Sequence, residues 1–161
     1  MHRVIKAKSA EIFPVVQEIL INGDNRVSVI VTGNSMYPFL REGIDSVELR
    51  KPEYTSLKRL DIVLIKRNNG VYVLHRVCKK NNDCFYMVGD NQYIAEGPLY
   101  PDQLIASVSA VIRRQKRIPC DSAQWMMLSR LWLFCLPFRR FMMKTYKKTG
   151  HLLKKSGIVR S

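Results

Sequence analysis

Residues 61–77, DIVLIKRNNGVYVLHRV, constrain the fold more than any other stretch of the chain. Two β-rich runs flank Asn68-Asn69-Gly70, and Asn-Gly between such runs is a strong hairpin signal. The outgoing run, residues 61–66, is almost wholly apolar. The return run alternates, and its period of two puts Val71, Val73, His75 and Val77 on one face. Further strands are predicted at residues 27–32, 45–50, 84–88 and 104–112, from β-branched or alternating patterns bounded by turn residues. Residues 91–98 read as a polar loop carrying Glu96, Gly97 and Pro98. The chain is therefore expected to be mainly β, a coiled sheet or partly open barrel.

Helical spacing occurs at two ends. In residues 9–21, SAEIFPVVQEILI, the apolar positions Ile12, Val15, Val16, Ile19 and Leu20 recur at helical intervals, and Asn22-Gly23 stops the run. After Pro119 the composition changes. Residues 123–138, AQWMMLSRLWLFCLPF, are heavily apolar, and FMMKTYKKTGHLLKKS follows Arg139-Arg140. Pro137 breaks any helix that crosses it, so two C-terminal amphipathic helices are expected. The organisation read from this is an N-terminal helix (1–25), a β domain (26–118) and a basic, apolar helical tail (119–161).

Charge divides the chain at the same place. Residues 1–112 hold 14 Lys/Arg against 12 Asp/Glu, whereas residues 113–161 hold 13 Lys/Arg and a single acid, Asp121. A near-neutral body with a strongly cationic tail points to an anionic partner for the tail. Its aromatic residues sit in apolar runs and not interleaved with Lys/Arg on a β-face. That favours an anionic membrane surface over nucleic acid. Arg130 and the basic flanks suit a helix pair lying on a membrane better than one crossing it. Packing of the helices on the β domain is the competing reading. Cys78, Cys84, Cys120 and Cys135 have no zinc-ligand spacing and read as free thiols of a reducing compartment. The N-terminus shows no uninterrupted apolar segment of a secretory signal, and no run approaches the length of a spanning helix. These features place the chain in the cytoplasm, peripheral at the inner membrane face. No metal or organic cofactor is implied.

The segment that carries chemistry is Gly33-Asn34-Ser35-Met36-Tyr37-Pro38, at the exit of the first predicted strand. Gly33 and Pro38 brace a turn there, so Ser35 is exposed at a tip with rigid chain behind it. A serine hydroxyl is a poor nucleophile unless a base lies within hydrogen-bond reach. The chain has three histidines, His2, His75 and His151, and only His75 lies within the β-part. A histidine on an apolar strand face is by itself more often a core residue than a catalyst. It is the combination with Ser35 and the acidic residues beyond it that points to acyl transfer.

The strand into GNSMYPFL, the hairpin RLDIVLIKRNNGVYVLHRV and the following MVGDNQ together resemble the S24/S26 serine peptidase superfamily, which contains signal peptidases and self-cleaving repressors. The resemblance covers roughly residues 26–112. It implies Ser35 as nucleophile. His75 stands where bacterial signal peptidases and repressors carry a lysine, as in the endoplasmic-reticulum type of signal peptidase. A third, acidic residue is implied in the loop after Gly89-Asp90-Asn91. Glu96 and Asp90 are the candidates, with the spacing to Leu99-Tyr100 favouring Glu96. The oxyanion would be held by backbone donors, Ser35 N–H foremost, because Gly33 occupies the place of a helpful hydroxyl. The chain departs from the pattern at Gly43-Ile44-Asp45, with one extra residue, and at Leu60-Asp61, where the family has Gly-Asp.

What the resemblance implies is a serine endopeptidase that removes a leader or signal sequence from a peptide or protein precursor. With a histidine as base, activity is expected to fall as pH drops through a value near 6.5. A self-cleaving repressor is the first alternative, but only 34 residues precede Ser35, without an Ala-Gly or Cys-Gly site, and its base would be lysine. A non-catalytic protein that binds membranes or polyanions on a peptidase-like scaffold is the second.

Overall fold

The computed structural model describes residues 4–5, 9–22 and 26–138. Among them nine strands form one sheet: β1 (Val4–Ile5), β2 (Val27–Ile30), β3 (Asp45–Arg50), β4 (Ile62–Lys66), β5 (Tyr72–Lys80), β6 (Phe85–Val88), β7 (Glu96–Leu99), β8 (Leu104–Arg113) and β9 (Lys116–Pro119). The order is β1-β2-β3-β8-β4-β5-β6-β7, with β9 on β8. Every pairing is antiparallel except the short β1–β2 contact. Strand β8 is the spine. Its first half pairs with β4 and its second half with β3. Two helices accompany the sheet, α1 (Ser9–Ile21) and α2 (Ala123–Phe134).

The first four residues of β4 are apolar without alternation, and the two cores explain why. Ile62 and Leu64 enter one core cluster, and Val63 and Ile65 enter a second on the other face. A strand covered on both sides has no polar face to alternate with. The first cluster also takes Ile12, Val16 and Leu20 of α1, Val29 of β2, Val47 of β3 and Trp125 of α2. The helix, the sheet and the start of the basic tail thus share one core. The second cluster is built from β4, β5 and β6, including Val77, Phe85 and Met87.

The sheet curls. Strands β3, β8, β4 and β5 lie between β2 and β6 in the order, yet the turn after β6 bonds the turn after β2: Asn91 N–H donates to the Ser35 carbonyl at 2.7 Å. Right-handed twist accumulated over these strands brings the two turns together.

Several expectations change in detail. Residues 96–98 are not loop. They form β7, which pairs with β6, and Pro98 is accommodated because β7 is the last strand in the order, where a missing N–H breaks no ladder. Strand β9 was not anticipated from its short, basic pattern. Val71 lies outside β5 and is exposed, since β5 begins at Tyr72, and Val15 faces solvent from α1. Of the two C-terminal helices, the first is α2, ending at Phe134 with a 3-10 turn over Leu136–Phe138 that contains Pro137. The second falls outside the described residues. No described helix is long and apolar enough to cross a membrane.

One buried ion pair ties these parts together. Arg76 and Asp90 are both fully buried, with Nε to Oδ1 at 2.9 Å and Nη2 to Oδ2 at 2.7 Å. Arg76 Nη1 donates to the Leu60 carbonyl and to Ser129 Oγ of α2, and its guanidinium lies 4.7 Å from the centre of the Phe39 ring. Removing one partner of such a pair strands the other charge. Asp90→Ala is therefore expected to lower unfolding free energy by about 3–5 kcal/mol. Ser129→Ala, which deletes one bond of several, should cost about 1–2 kcal/mol. Urea unfolding of both variants checks the ranking, and a midpoint for Asp90→Ala equal to that of the parent would remove the pair from the stability account.

Candidate active site

The turn that follows β2 is anchored from both sides. Val31 N–H donates to the Asp45 carbonyl at 2.9 Å, and Gly43 N–H returns to the Val31 carbonyl at 3.0 Å. Within the turn, Glu42 accepts from Gly33 N–H at 2.8 Å and from Asn34 Nδ2 at 3.1 Å. Gly33 has φ +78°, a conformation open to glycine without a Cβ clash. Met36 and Leu40, both buried, plug the turn into the main core. Ser35, expected to be exposed at the tip, is instead half-buried between these anchors.

Two other sites have distinctive local geometry. Ile44 points outward and is 58% exposed, while Asp45 is buried at the foot of the turn. Asp45 accepts from Arg41 N–H and from the guanidinium groups of Arg41 and Arg113. Burial pushes its carboxyl up, but those bonds outweigh burial and hold it below the usual range. At the second site Leu60 takes φ 84°, the left-handed region that a glycine would occupy without strain. Its N–H donates to the Val77 carbonyl, and its carbonyl accepts from Arg76.

Gly89 closes the turn from the opposite side. A Cβ at this position would lie 2.6 Å from the Ser35 carbonyl oxygen, so the approach requires glycine. Asn91 then donates its N–H to that same carbonyl and its Nδ2 to the Asn34 carbonyl.

His75 stands on β5 opposite Val63 of β4. It is 2% exposed, and its Nδ1 has no hydrogen-bond partner. Glu96 Oε2 of β7 lies 4.0 Å from that nitrogen. Glu96 is itself gripped by Arg67, at 2.5 Å (Nε–Oε1) and 2.6 Å (Nη2–Oε2). Burial lowers the His75 pKa from 6.5 to about 4. Glu96 opposes that shift and Arg67 reinforces it. The imidazole is therefore neutral at pH 7, the form able to accept a proton.

Successive strand residues point to opposite faces, and this sorts the two acidic candidates. His75 faces Glu96, whereas Arg76, next along β5, takes Asp90. Ser35 and His75 line one cleft of about 280 Å³, together with Arg67 and Gln92 and an apolar wall that includes Val29, Val31, Val47 and Leu49. No hydrogen bond joins Ser35 to the His75 ring.

Sequence reasoning passed over Arg67, Glu42, Gly89 and Gln92. Arg67 sits beside the hairpin turn and looks like a solvated charge. Its partner is 29 residues away, a relation no local pattern carries. The Gly89 requirement likewise comes from a distant carbonyl.

Two outcomes follow. Gly89→Ala must displace the Ser35 turn and is expected to cost about 1–3 kcal/mol, with loss of the Asn91 contact readable as increased hydrogen exchange at the Asn91 amide. For His75, a folded pKa below the unfolded one means stability present above pH 6.5 that declines as pH falls and is lost through about 4. The difference in unfolding free energy between the parent and His75→Gln should narrow by roughly 3 kcal/mol across that window, at about 1.4 kcal/mol per pH unit. A difference independent of pH would refute the depressed value.

No protein-family model matches this chain, and no curated protein matches it.

Proposed function

We propose that this protein is a serine endopeptidase of signal-peptidase type, with Ser35 as nucleophile and His75 as base, and that its curled sheet is the coiled sheet of that superfamily. The observation that carries the reading is the shared cleft. Ser35 on a rigid turn and a buried, neutral histidine open onto the same cavity, although 40 positions separate them in the chain.

In the proposed reaction His75 Nε2 takes the Ser35 proton as Ser35 Oγ attacks a peptide carbonyl. The resulting imidazolium hands its proton to the leaving amine, and an acyl-enzyme remains. Water, deprotonated by His75, releases the acyl group and restores Ser35. Glu96 is the third member. Facing Nδ1, it orients the ring and stabilises the imidazolium, while Asp90 is committed to Arg76. Arg67 fixes the Glu96 carboxylate and so acts as a positioning residue. The Ser35 backbone N–H, which bonds no other described group, is the first oxyanion donor. The apolar wall of Val29, Val31, Val47 and Leu49 favours a substrate with an apolar side chain next to the scissile bond. A leader or signal sequence of a precursor peptide or protein supplies such residues.

Protein N-termini compared by mass spectrometry in cells carrying the parent, Ser35→Ala or His75→Ala test the reading. Precursor cleavages present with the parent and absent with both variants support it. Identical termini in all three, with folded and abundant protein, overturn it. With a substrate in hand, kcat/KM should fall only as pH drops through about 4, not 6.5, because burial has moved His75. Glu96→Gln should lower kcat by up to about 10,000-fold. Asp90→Asn, if folded, should act through stability and not through the pH profile.

A further inference from the structure

Helix α2 is apolar on nearly every side, but only one stripe is covered. Trp125, Ser129 and Leu133, four residues apart, are buried against the sheet. On the opposite stripe Met127, Leu131 and Phe134 are between 62% and 74% exposed, and Phe138 of the following turn continues them at 64%. A helix with two apolar faces is ordinarily enclosed, so the second face calls for a cover. What surrounds it identifies the cover. Leu131 and Phe134 border a trough of about 670 Å³ whose charged walls are Lys58, Arg59 and Arg130. From residue 122 to residue 161 the chain has nine Lys/Arg and no Asp or Glu. Exposed Leu and Phe bordered by cations, with no acid among the residues lining the trough, match the interface of an anionic bilayer, where apolar side chains enter the acyl boundary and basic ones meet phosphates.

We propose that the outer face of α2, with Lys58 and Arg59, docks this protein onto an anionic membrane surface without crossing it. The placement has a consequence for the cleft. Trp132 of α2 donates to the Asp90 carbonyl, and Asn91, the next residue, bonds the Ser35 carbonyl. A bilayer against the outer face of α2 therefore lies one helix away from the turn that holds Ser35.

The test is flotation of the full chain with vesicles of phosphatidylcholine alone or with 30% phosphatidylglycerol. The parent should float with the anionic vesicles only. Leu131→Glu/Phe134→Glu, at exposed positions that leave the core intact, should weaken binding roughly tenfold or more. Lys58→Glu/Arg59→Glu should weaken it and flatten its salt dependence. Ser35→Ala should bind as the parent does, which separates this proposal from the peptidase reading. Unchanged binding of the Leu131/Phe134 pair variant would show that the tail alone is attracted, and would overturn the docking face. So would a dimer of the parent in sedimentation that the same variant dissolves, or binding to a DNA oligonucleotide that the variant weakens as much as vesicle binding.

Discussion

The guanidinium of Arg76 is the point on which the structure converges. It is fully buried, and four elements approach it: the Leu60 carbonyl ahead of β4, the Asp90 carboxylate after β6, Ser129 of α2 and the Phe39 ring of the serine turn. A charge in that position must be paired and hydrogen-bonded, because leaving it bare in low dielectric is far more costly than any single contact it makes. That requirement is directional where apolar packing is not. Greasy side chains would tolerate several placements of α2 and of the turn after β6. The fork of Arg76 tolerates one, with Asp90 bidentate and Leu60 and Ser129 in line. The pair contributes more to the uniqueness of the arrangement than to its net stability.

That uniqueness reaches the cleft through backbone. Asp90 is held by Arg76, so Gly89 and Asn91 on either side of it are held too, and both press on the Ser35 carbonyl. On its other flank the serine turn is tethered by Glu42 and Asp45. Ser35 is thus located by groups drawn from β3, the β6–β7 connection and its own turn, none of which reacts. The proposed role of Ser35 as nucleophile would need this kind of support, since small misplacement of the attacking atom costs rate steeply.

The legibility of the chain follows the range of the interactions concerned. The hairpin of β4 and β5 was readable because Asn69-Gly70 and the alternation after it are local signals. Helix α1 was readable from its spacing, apart from Val15, whose exposure depends on where the sheet ends. Strand β7 was hidden. Glu96, Gly97 and Pro98 carry every sign of a loop, and only the free edge of β6 makes a strand of them. Ser35 and His75, which line one cleft, stand out in the sequence by type and position. Their supports do not, because Gly89 opposite Ser35 and Arg67 opposite Glu96 are tertiary pairings with no imprint on neighbouring residues. Leu60 is the sharpest instance. Its left-handed backbone would lead one to expect glycine, yet its side chain is buried with Val88 and Leu133, and the packing of a leucine is kept at the expense of backbone strain.

His75 shows the same trade in electrostatic form. Burial keeps its ring neutral, the form able to accept a proton, but burial also opposes the imidazolium that protonation would create. A carboxylate beside Nδ1 relieves that opposition, and Glu96 is placed to do so. An unrestrained Glu96 would carry the resting pKa upward and could swing to solvent. Arg67 prevents both, pinning the carboxylate with two bonds and offsetting part of its field at His75. The resting ring stays uncharged, and the charge it would take on in the proposed reaction meets a carboxylate already in place. The 4.0 Å between Nδ1 and Oε2 fits that division, because the attraction across the gap is worth most when the ring is protonated.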